Sequence, residues 1–155
     1  MAKEIERKFL IDLAILGPME GGASIKQGYI STSDKTVVRV RVVSAEAYLT
    51  LKGENIGLTR TEFEYPIPVS DANEIISELC NGPIIEKTRY LLKYSKHTWE
   101  VDIFHGENHG LVIAEIELTS ENEEFDLPPW LGEEVSDDIK YFNSNLLENP
   151  FKNWS

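Results

Sequence analysis

Residues 3–11 read KEIERKFLI, and this stretch near the start of the chain decides the fold. Charged and apolar side chains alternate along it, and only Arg7 interrupts the apolar positions. Successive side chains of a β-strand point to opposite faces, so the alternation predicts a strand with one charged and one apolar face. The charged positions are Glu4, Glu6 and Lys8, and the apolar positions are Ile5, Phe9 and Ile11.

The same period of two recurs in seven further segments. Most of them are joined by short polar or glycine-containing turns, which favour antiparallel neighbours. Eight antiparallel strands can close into a barrel, which removes exposed sheet edges. We therefore predict an all-β-dominated (α+β) fold, an eight-stranded antiparallel β-barrel with peripheral helices. The seven segments are 24–32, 35–43, 46–53, 58–68, 84–94, 97–105 and 111–118.

Two helices are predicted outside the strands. The first has Ser70 or Asp71 as its N-cap and stops at Asn81-Gly82-Pro83. Its apolar stripe consists of Ile75, Ile76 and Leu79. The second helix is predicted over residues 137–149.

Composition limits the functional class. The 155 residues are 41% apolar and 27% charged, with no repeat or linker, which predicts one globular domain over residues 1–155. Cys80 is the only cysteine, which excludes a cysteine-based metal cage and favours a reducing, cytoplasmic location. No apolar run is long enough to span a membrane. The net charge of −12 opposes binding to nucleic acid or to an anionic membrane.

The charged strand faces have two interpretations. The simpler one is a solvated outer surface, since charged side chains are seldom buried unless they are paired. Against it, like charges group by strand, as in Arg39 with Arg41 and in Glu115 with Glu117. Neighbouring like charges repel, a cost that a ligand can offset. Glutamates suit a hard divalent cation and arginines suit phosphate oxygens, so a barrel with its charges inside is the alternative.

The motif order favours this alternative. Glu4-Ile5-Glu6-Arg7-Lys8 is an ExExK motif, and the ordered set that follows it resembles the CYTH superfamily, the triphosphate tunnel metalloenzymes, across nearly the whole chain. The resemblance is closest to small bacterial single-domain members, and it implies a tunnel lined by the alternating charges. The further motifs are Gln27-Gly28-Tyr29, Arg39-Val40-Arg41, Thr50-Leu51-Lys52, Arg60 to Glu64, Glu86-Lys87-Thr88-Arg89-Tyr90, Glu100-Val101-Asp102, Glu115-Ile116-Glu117 and Pro129-Trp130-Leu131-Gly132-Glu133-Glu134-Val135.

The resemblance also implies roles for individual residues. The metal-binding acids are expected to be Glu4, Glu6, Glu115 and Glu117, with Glu62, Glu64 and Asp102 holding a metal or orienting its water. The bases expected to grip a triphosphate are Lys8, Arg39, Arg41, Lys52, Lys87 and Arg89, and Arg60 is expected to join them. Lys140 stands where small relatives usually carry arginine, so its grip on the triphosphate should be weaker or differently aimed. Lys8 is expected to contact the terminal phosphate or the attacking water. In the second case it is expected to help activate that water, with Tyr29 nearby as a further catalytic residue.

The function implied is metal-dependent hydrolysis with one or two Mg²⁺ or Mn²⁺ ions. Inorganic triphosphate is the first choice of substrate, because the short chain shows no added element for reading a base. The alternatives are a class IV adenylyl cyclase, a thiamine or nucleoside triphosphatase, a non-catalytic triphosphate- or polyphosphate-binding module, and a β-sandwich of unknown interaction function. The apolar outer faces can pack on helices or on a second subunit, so the sequence is compatible with a homodimer without indicating one.

Overall fold

Nine β-strands form the architecture of the computed structural model, which describes residues 3–80, 82, 84–146 and 149–154. The strands are β1 (Lys3–Ile11), β2 (Ala23–Ile30), β3 (Val37–Val43), β4 (Glu46–Lys52), β5 (Thr59–Ile67), β6 (Ile85–Tyr94), β7 (His97–Phe104), β8 (Val112–Glu117) and β9 (Leu131–Glu134).

The first eight strands close into the predicted antiparallel barrel. Their order is β5-β4-β3-β2-β6-β7-β8-β1, and β1 closes the ring by pairing with β5. Strand β1 can do this because its two halves use opposite edges. Lys3–Ile5 pair with Thr59–Thr61 of β5, while Glu6–Leu10 pair with β8. Strand β9 was not predicted. It has four residues and pairs with the end of β1 at Phe9 and Ile11.

The helices are short and lie outside the barrel wall. They are α1 (Leu13–Leu16), α2 (Val69–Glu78) and α3 (Asn143–Leu146), with 3₁₀ turns at Gly106–Asn108, Ile139–Tyr141 and Phe151–Asn153. Helix α1 was not predicted. It begins at Asp12, whose side chain accepts hydrogen bonds from the backbone N–H groups of Ala14 and Ile15 at 3.0 and 3.4 Å.

Both helix predictions need correction. Helix α2 starts at Val69 after Pro68, so neither Ser70 nor Asp71 is its N-cap. Of its predicted stop, only Gly82 lies within the described residues, with φ at 75°. The predicted helix over residues 137–149 is wrong. A 3₁₀ turn and the single turn of α3 replace it, separated by the extended Phe142, and residues 147 and 148 lie outside the described part.

The largest apolar cluster packs on the outer face of the barrel. Trp99 and Val101 of β7 are fully buried there, and Trp99 meets the rings of Phe9 and Trp130 edge-on at centroid distances of 5.6 and 5.7 Å. Helix α2 covers the outer face of β3 and β4, where Ile76 packs with Val40. Burying apolar side chains against these covers is favourable and leaves the inner faces of the strands for charged side chains.

A third apolar cluster closes part of one barrel end. Ile85, Phe104 and Ile113 are inward-facing and almost completely buried, and Leu146 of α3 packs on them. Phe151 and Trp154 extend this cover from the last turn. This packing gives a reason why 137–149 is not one helix, since its apolar side chains must reach the barrel end. No helix among the described residues is long and apolar enough to cross a membrane.

Candidate active site

A cavity of about 480 Å³ lies inside the barrel. Seven bases and seven acids line it among the described residues, so their formal charges cancel. The bases are Lys3, Lys8, Arg39, Arg41, Lys52, Arg60 and Arg89, and the acids are Glu4, Glu6, Glu62, Glu64, Glu100, Glu115 and Glu117. Almost all stand at alternate strand positions, which is why the period of two brings them to one inner face.

The acids form hydrogen-bonded pairs. Glu6 and Glu115 share a hydrogen bond, and burial together with the charges of Glu115 and Glu4 raises the pKa of Glu6 well above its ordinary value of 4.5. Burial opposes the charge on Glu115 as well, but Lys8 and the hydrogen bond from Glu6 outweigh it and lower the pKa of Glu115. Burial, opposed by Lys52 and reinforced by a hydrogen bond with Glu62, raises the pKa of Glu4.

Two lysines link the acids to the rest of the lining. The Nζ atom of Lys52 lies 3.1 Å from a carboxylate oxygen of Glu4. The Nζ atom of Lys8 lies 3.9 Å from Glu115 and donates a hydrogen bond to the carbonyl oxygen of Tyr141 at 3.2 Å. The segment that follows β9 therefore holds the lysine of the ExExK motif in place.

Two buried arginines leave donors available to a ligand. Arg39 lies 3.6 Å from Glu64 and donates to the Thr50 hydroxyl at 3.3 Å, while its buried Nε has no hydrogen-bond partner among the described residues. Arg41 forms no ion pair with a described carboxylate. Burial, then the charges of Arg39 and Arg89, lower the pKa of Arg41 to about 10. An anion that reaches this site meets charged donors that few protein groups neutralise.

Comparison with known proteins assigns the fold to a family. A family model described as the CYTH domain matches residues 2–146. The chain belongs to the CYTH family.

Relatives in this CYTH family are similar along their whole length. A protein named inorganic triphosphatase from Acetivibrio thermocellus is 51% identical over 154 residues, which are 99% of each chain. One of the same name from Nitrosomonas europaea is 38% identical over 147 residues, or 92% of this chain and 95% of that protein. A crystal structure of an inorganic triphosphatase has 34% identity and a TM-score of 0.66, and covers 95% of both chains.

Three residues expected in the CYTH site do not line the cavity, namely Lys87, Asp102 and Lys140. Lys87 and Asp102 are each 1% exposed, and their charged groups lie 2.8 Å apart. Asp102 also accepts two hydrogen bonds from Arg89, at 2.7 and 2.8 Å. Burial alone would raise the pKa of Asp102, but these two cations hold it below its ordinary 3.8. Both oxygens of Asp102 are therefore occupied by protein cations, and Arg89, unlike Lys87 and Asp102, reaches the cavity.

Lys140 lies outside the cavity lining. It is exposed, and its Nζ sits 4.8 Å from the centroid of the Trp154 ring and 5.6 Å from that of Tyr141. Its charge is therefore held on aromatic faces next to the barrel end.

The donor set fits a hard divalent cation. No three carboxylate, imidazole or thiol groups among the described residues converge closely enough to hold an ion. However, Glu4, Glu6 and Glu115 face one cavity, and burial together with neighbouring carboxylates raises the pKa of Glu4 and of Glu6, an unfavourable effect that a bound cation would offset. Carboxylate oxygens are the ligands that Mg²⁺ and Mn²⁺ prefer.

Several lining residues had no role predicted from the sequence. Lys3 and Glu100 line the cavity, as do Ser136 and Phe142 from the segment after β9. Glu100 shares its strand face with Asp102, so the period of two could have identified it. Gln27 is uncharged, and the analysis of charge patterns passed over it, although it is completely buried beside Arg41.

Proposed function

We propose that this chain is a metal-dependent inorganic triphosphatase, which hydrolyses tripolyphosphate to pyrophosphate and phosphate. The observation that supports it best is the cavity, where seven bases and seven acids face each other inside a barrel. Binding an anion alone would require bases but not the inward glutamates. Relatives that are 51% and 38% identical over nearly the full length carry the name inorganic triphosphatase.

The bases bind and orient the triphosphate. A triphosphate carries about four or five negative charges at neutral pH, and charge-assisted hydrogen bonds from arginine and lysine match its oxygens. Arg41 and the unpartnered Nε of Arg39 are the donors with the fewest protein partners. Lys52 and Lys8 must exchange their glutamate partners for phosphate oxygens.

The acids hold the metal. Triphosphatases of the CYTH family depend on metal in general, and we propose Mg²⁺ or Mn²⁺, with one or two ions held by Glu4, Glu6, Glu115 and Glu117, and with Glu62 and Glu64 supporting them. When bound, the cation polarises the phosphoryl group and stabilises charge that develops during hydrolysis. Lys8, anchored by the Tyr141 carbonyl and within 3.9 Å of Glu115, lies where it can contact the terminal phosphate or the attacking water.

A second candidate substrate class is suggested by the neighbouring space. A cavity of about 810 Å³ adjoins the charged one and shares Tyr29, Val37, Arg60 and Phe142 with it. An organic group attached to the triphosphate, such as a nucleoside or thiamine, would fit there. This observation keeps nucleoside or thiamine triphosphatase activity, and adenylyl cyclase activity, as the alternatives.

Phosphate release separates these functions. The assay uses Mg²⁺ or Mn²⁺ with tripolyphosphate, ATP, GTP and thiamine triphosphate, and cyclic AMP is measured in parallel. We expect the highest kcat/KM for tripolyphosphate, one phosphate released per molecule, and no product in chelator. Tight binding without release would instead identify a binding module, and cyclic AMP would identify a cyclase.

Other properties are proposed on the sequence alone. We propose a cytoplasmic protein of one domain over residues 1–155, with no nucleic-acid or membrane partner. The sequence is compatible with a homodimer, and light scattering can measure the oligomeric state.

A further inference from the structure

Gln27 is the neutral member of the charged barrel interior. It lies on β2, is completely buried, and its Cα is paired with that of Arg41 on β3. Tyr29, two residues further, points to the same face and lies opposite Arg39. A buried amide needs hydrogen-bond partners for both its oxygen and its nitrogen, and here each has one.

The chemistry of arginine fixes the orientation of this amide. The Nε of Arg41 lies 2.8 Å from Oε1 of Gln27, and arginine can only donate hydrogen bonds. The amide oxygen must therefore face Arg41. The amide nitrogen then faces the Tyr29 hydroxyl, to which it donates at 2.8 Å.

This orientation determines what Tyr29 can do. Its oxygen accepts from Gln27, so the hydrogen of the hydroxyl points elsewhere. The hydroxyl has no other hydrogen-bond partner among the described residues, and Tyr29 lines the charged cavity. A hydroxyl in this state is a donor to an anion in the cavity.

The same amide also prepares Arg41. One hydrogen bond at Nε fixes the plane of the guanidinium and leaves its terminal NH₂ groups available. Because the amide is neutral, it holds Arg41 without cancelling its charge, which a carboxylate would do.

We propose that Gln27 is a positioning residue: it directs the Tyr29 hydroxyl hydrogen and the Arg41 guanidinium toward the triphosphate, and Tyr29 donates a hydrogen bond to a phosphate oxygen. This inference rests on the proposed function, because it assumes that the cavity binds triphosphate. It assigns Tyr29 to substrate binding, not to activation of water.

A double-mutant cycle with Gln27→Glu and Tyr29→Phe tests the proposal. The carboxylate in Gln27→Glu still accepts from Arg41, and it also accepts the hydrogen of Tyr29, which turns that hydrogen away from the ligand. The dissociation constant of tripolyphosphate is measured calorimetrically in chelator, and KM and kcat are measured with Mg²⁺.

In the wild-type background we expect Tyr29→Phe to weaken tripolyphosphate binding about 10- to 100-fold, as for a lost hydrogen bond to a charged group, and to raise KM more than it lowers kcat. In the Gln27→Glu background the same change should have almost no effect. This loss of effect distinguishes positioning from simple neutralisation of Arg41, which would leave the contribution of Tyr29 unchanged.

Several results would overturn the inference. These are an equal effect of Tyr29→Phe in both backgrounds, no effect in the wild type, or a fall in kcat with binding unchanged. If Gln27→Glu does not fold, Gln27→Met replaces it in the test, because methionine removes both hydrogen bonds. Tripolyphosphate binding must then be weaker in Gln27→Met, and wild-type affinity in that variant refutes the proposal. Lys26→Met, next to Gln27 on the opposite strand face, is the matched control. A wild-type protein that neither binds nor hydrolyses tripolyphosphate would refute the proposed function itself.

Discussion

Glu6 is the residue whose surroundings most oppose its charge. Burial, Glu115 and Glu4 all raise the pKa of Glu6, so its carboxyl group holds a proton to a higher pH than that of an isolated glutamate. A group whose pKa is raised by folding stabilises the protein below its unfolded pKa, and this contribution is lost as the pH rises through the folded value. The metal-free protein should therefore lose stability toward neutral pH at this residue.

Replacing Glu6 with glutamine separates stability from function. Without metal, we expect the wild type to lose unfolding free energy as the pH rises above 4.5, the ordinary pKa of a glutamate, and Glu6→Gln to lose less, because the amide does not titrate. With metal, turnover should fall roughly 100-fold or more, since the variant loses a proposed metal ligand. Urea unfolding and phosphate release measure the two effects. Glu86 is exposed on the outer face of β6, so the control variant Glu86→Gln should change neither stability nor turnover. Wild-type turnover in Glu6→Gln would contradict the proposed metal role of Glu6.

Asp102 and Glu100 form a matched pair around Arg89. Asp102 is 1% exposed and also pairs with Lys87, whereas the Glu100 side chain is 42% exposed and 3.3 Å from Arg89. We expect Asp102→Asn to cost about 3–5 kcal/mol, because it leaves buried cations uncompensated, and Glu100→Gln to cost at most about 1 kcal/mol. Chemical denaturation measures both. The Mn²⁺ concentration needed for half-maximal activity should stay unchanged in Asp102→Asn. A large rise in that concentration would show that Asp102 binds the metal.

The C-terminal segment contributes stability as an element, although its secondary structure is slight. Leu146 of α3 is 1% exposed in the cluster with Ile85 and Phe104. We expect Leu146→Ala to cost about 2–5 kcal/mol through lost burial and a cavity. Leu127→Ala is the control, since Leu127 is 66% exposed and its truncation should stay within about 0.5 kcal/mol. If Leu146→Ala and the wild type had equal midpoints of thermal unfolding, the C-terminal segment would not seal the barrel end.

The elements were predictable to different degrees. Alternation identified all eight barrel strands, because each has an inner and an outer face of different polarity. It could not reveal β9, since LGEE is short and pairs only with the end of β1. The period of two gives the face of a residue but not its depth along the barrel. Lys87 and Arg89 therefore look equivalent in the sequence, although only Arg89 reaches the cavity. Neutral Gln27 carried no signal in a pattern of charges.

For the whole molecule, metal binding should raise thermal stability. Only the folded chain brings Glu4, Glu6 and Glu115 together, so a cation held by these proposed ligands should bind the folded state preferentially. At about 100 times the dissociation constant, the gain is about 2.7 kcal/mol, or about 5–10 °C in Tm for a domain of this size. Melting curves with Mn²⁺ and with chelator measure it. An unchanged Tm together with full activity in chelator would contradict the mechanism.

The equal numbers of acids and bases in the cavity make metal and substrate thermodynamically dependent on each other. Two of the bases are partly neutralised by acids, since Lys52 lies 3.1 Å from Glu4 and Lys8 lies 3.9 Å from Glu115. A cation that takes the glutamates releases the lysines for phosphate, and a triphosphate that takes the lysines releases the glutamates for the cation. By reciprocity, each ligand must strengthen the binding of the other by the same factor. The barrel interior should therefore bind the cation and the triphosphate with positive cooperativity, so that both together occupy it more favourably than either does alone.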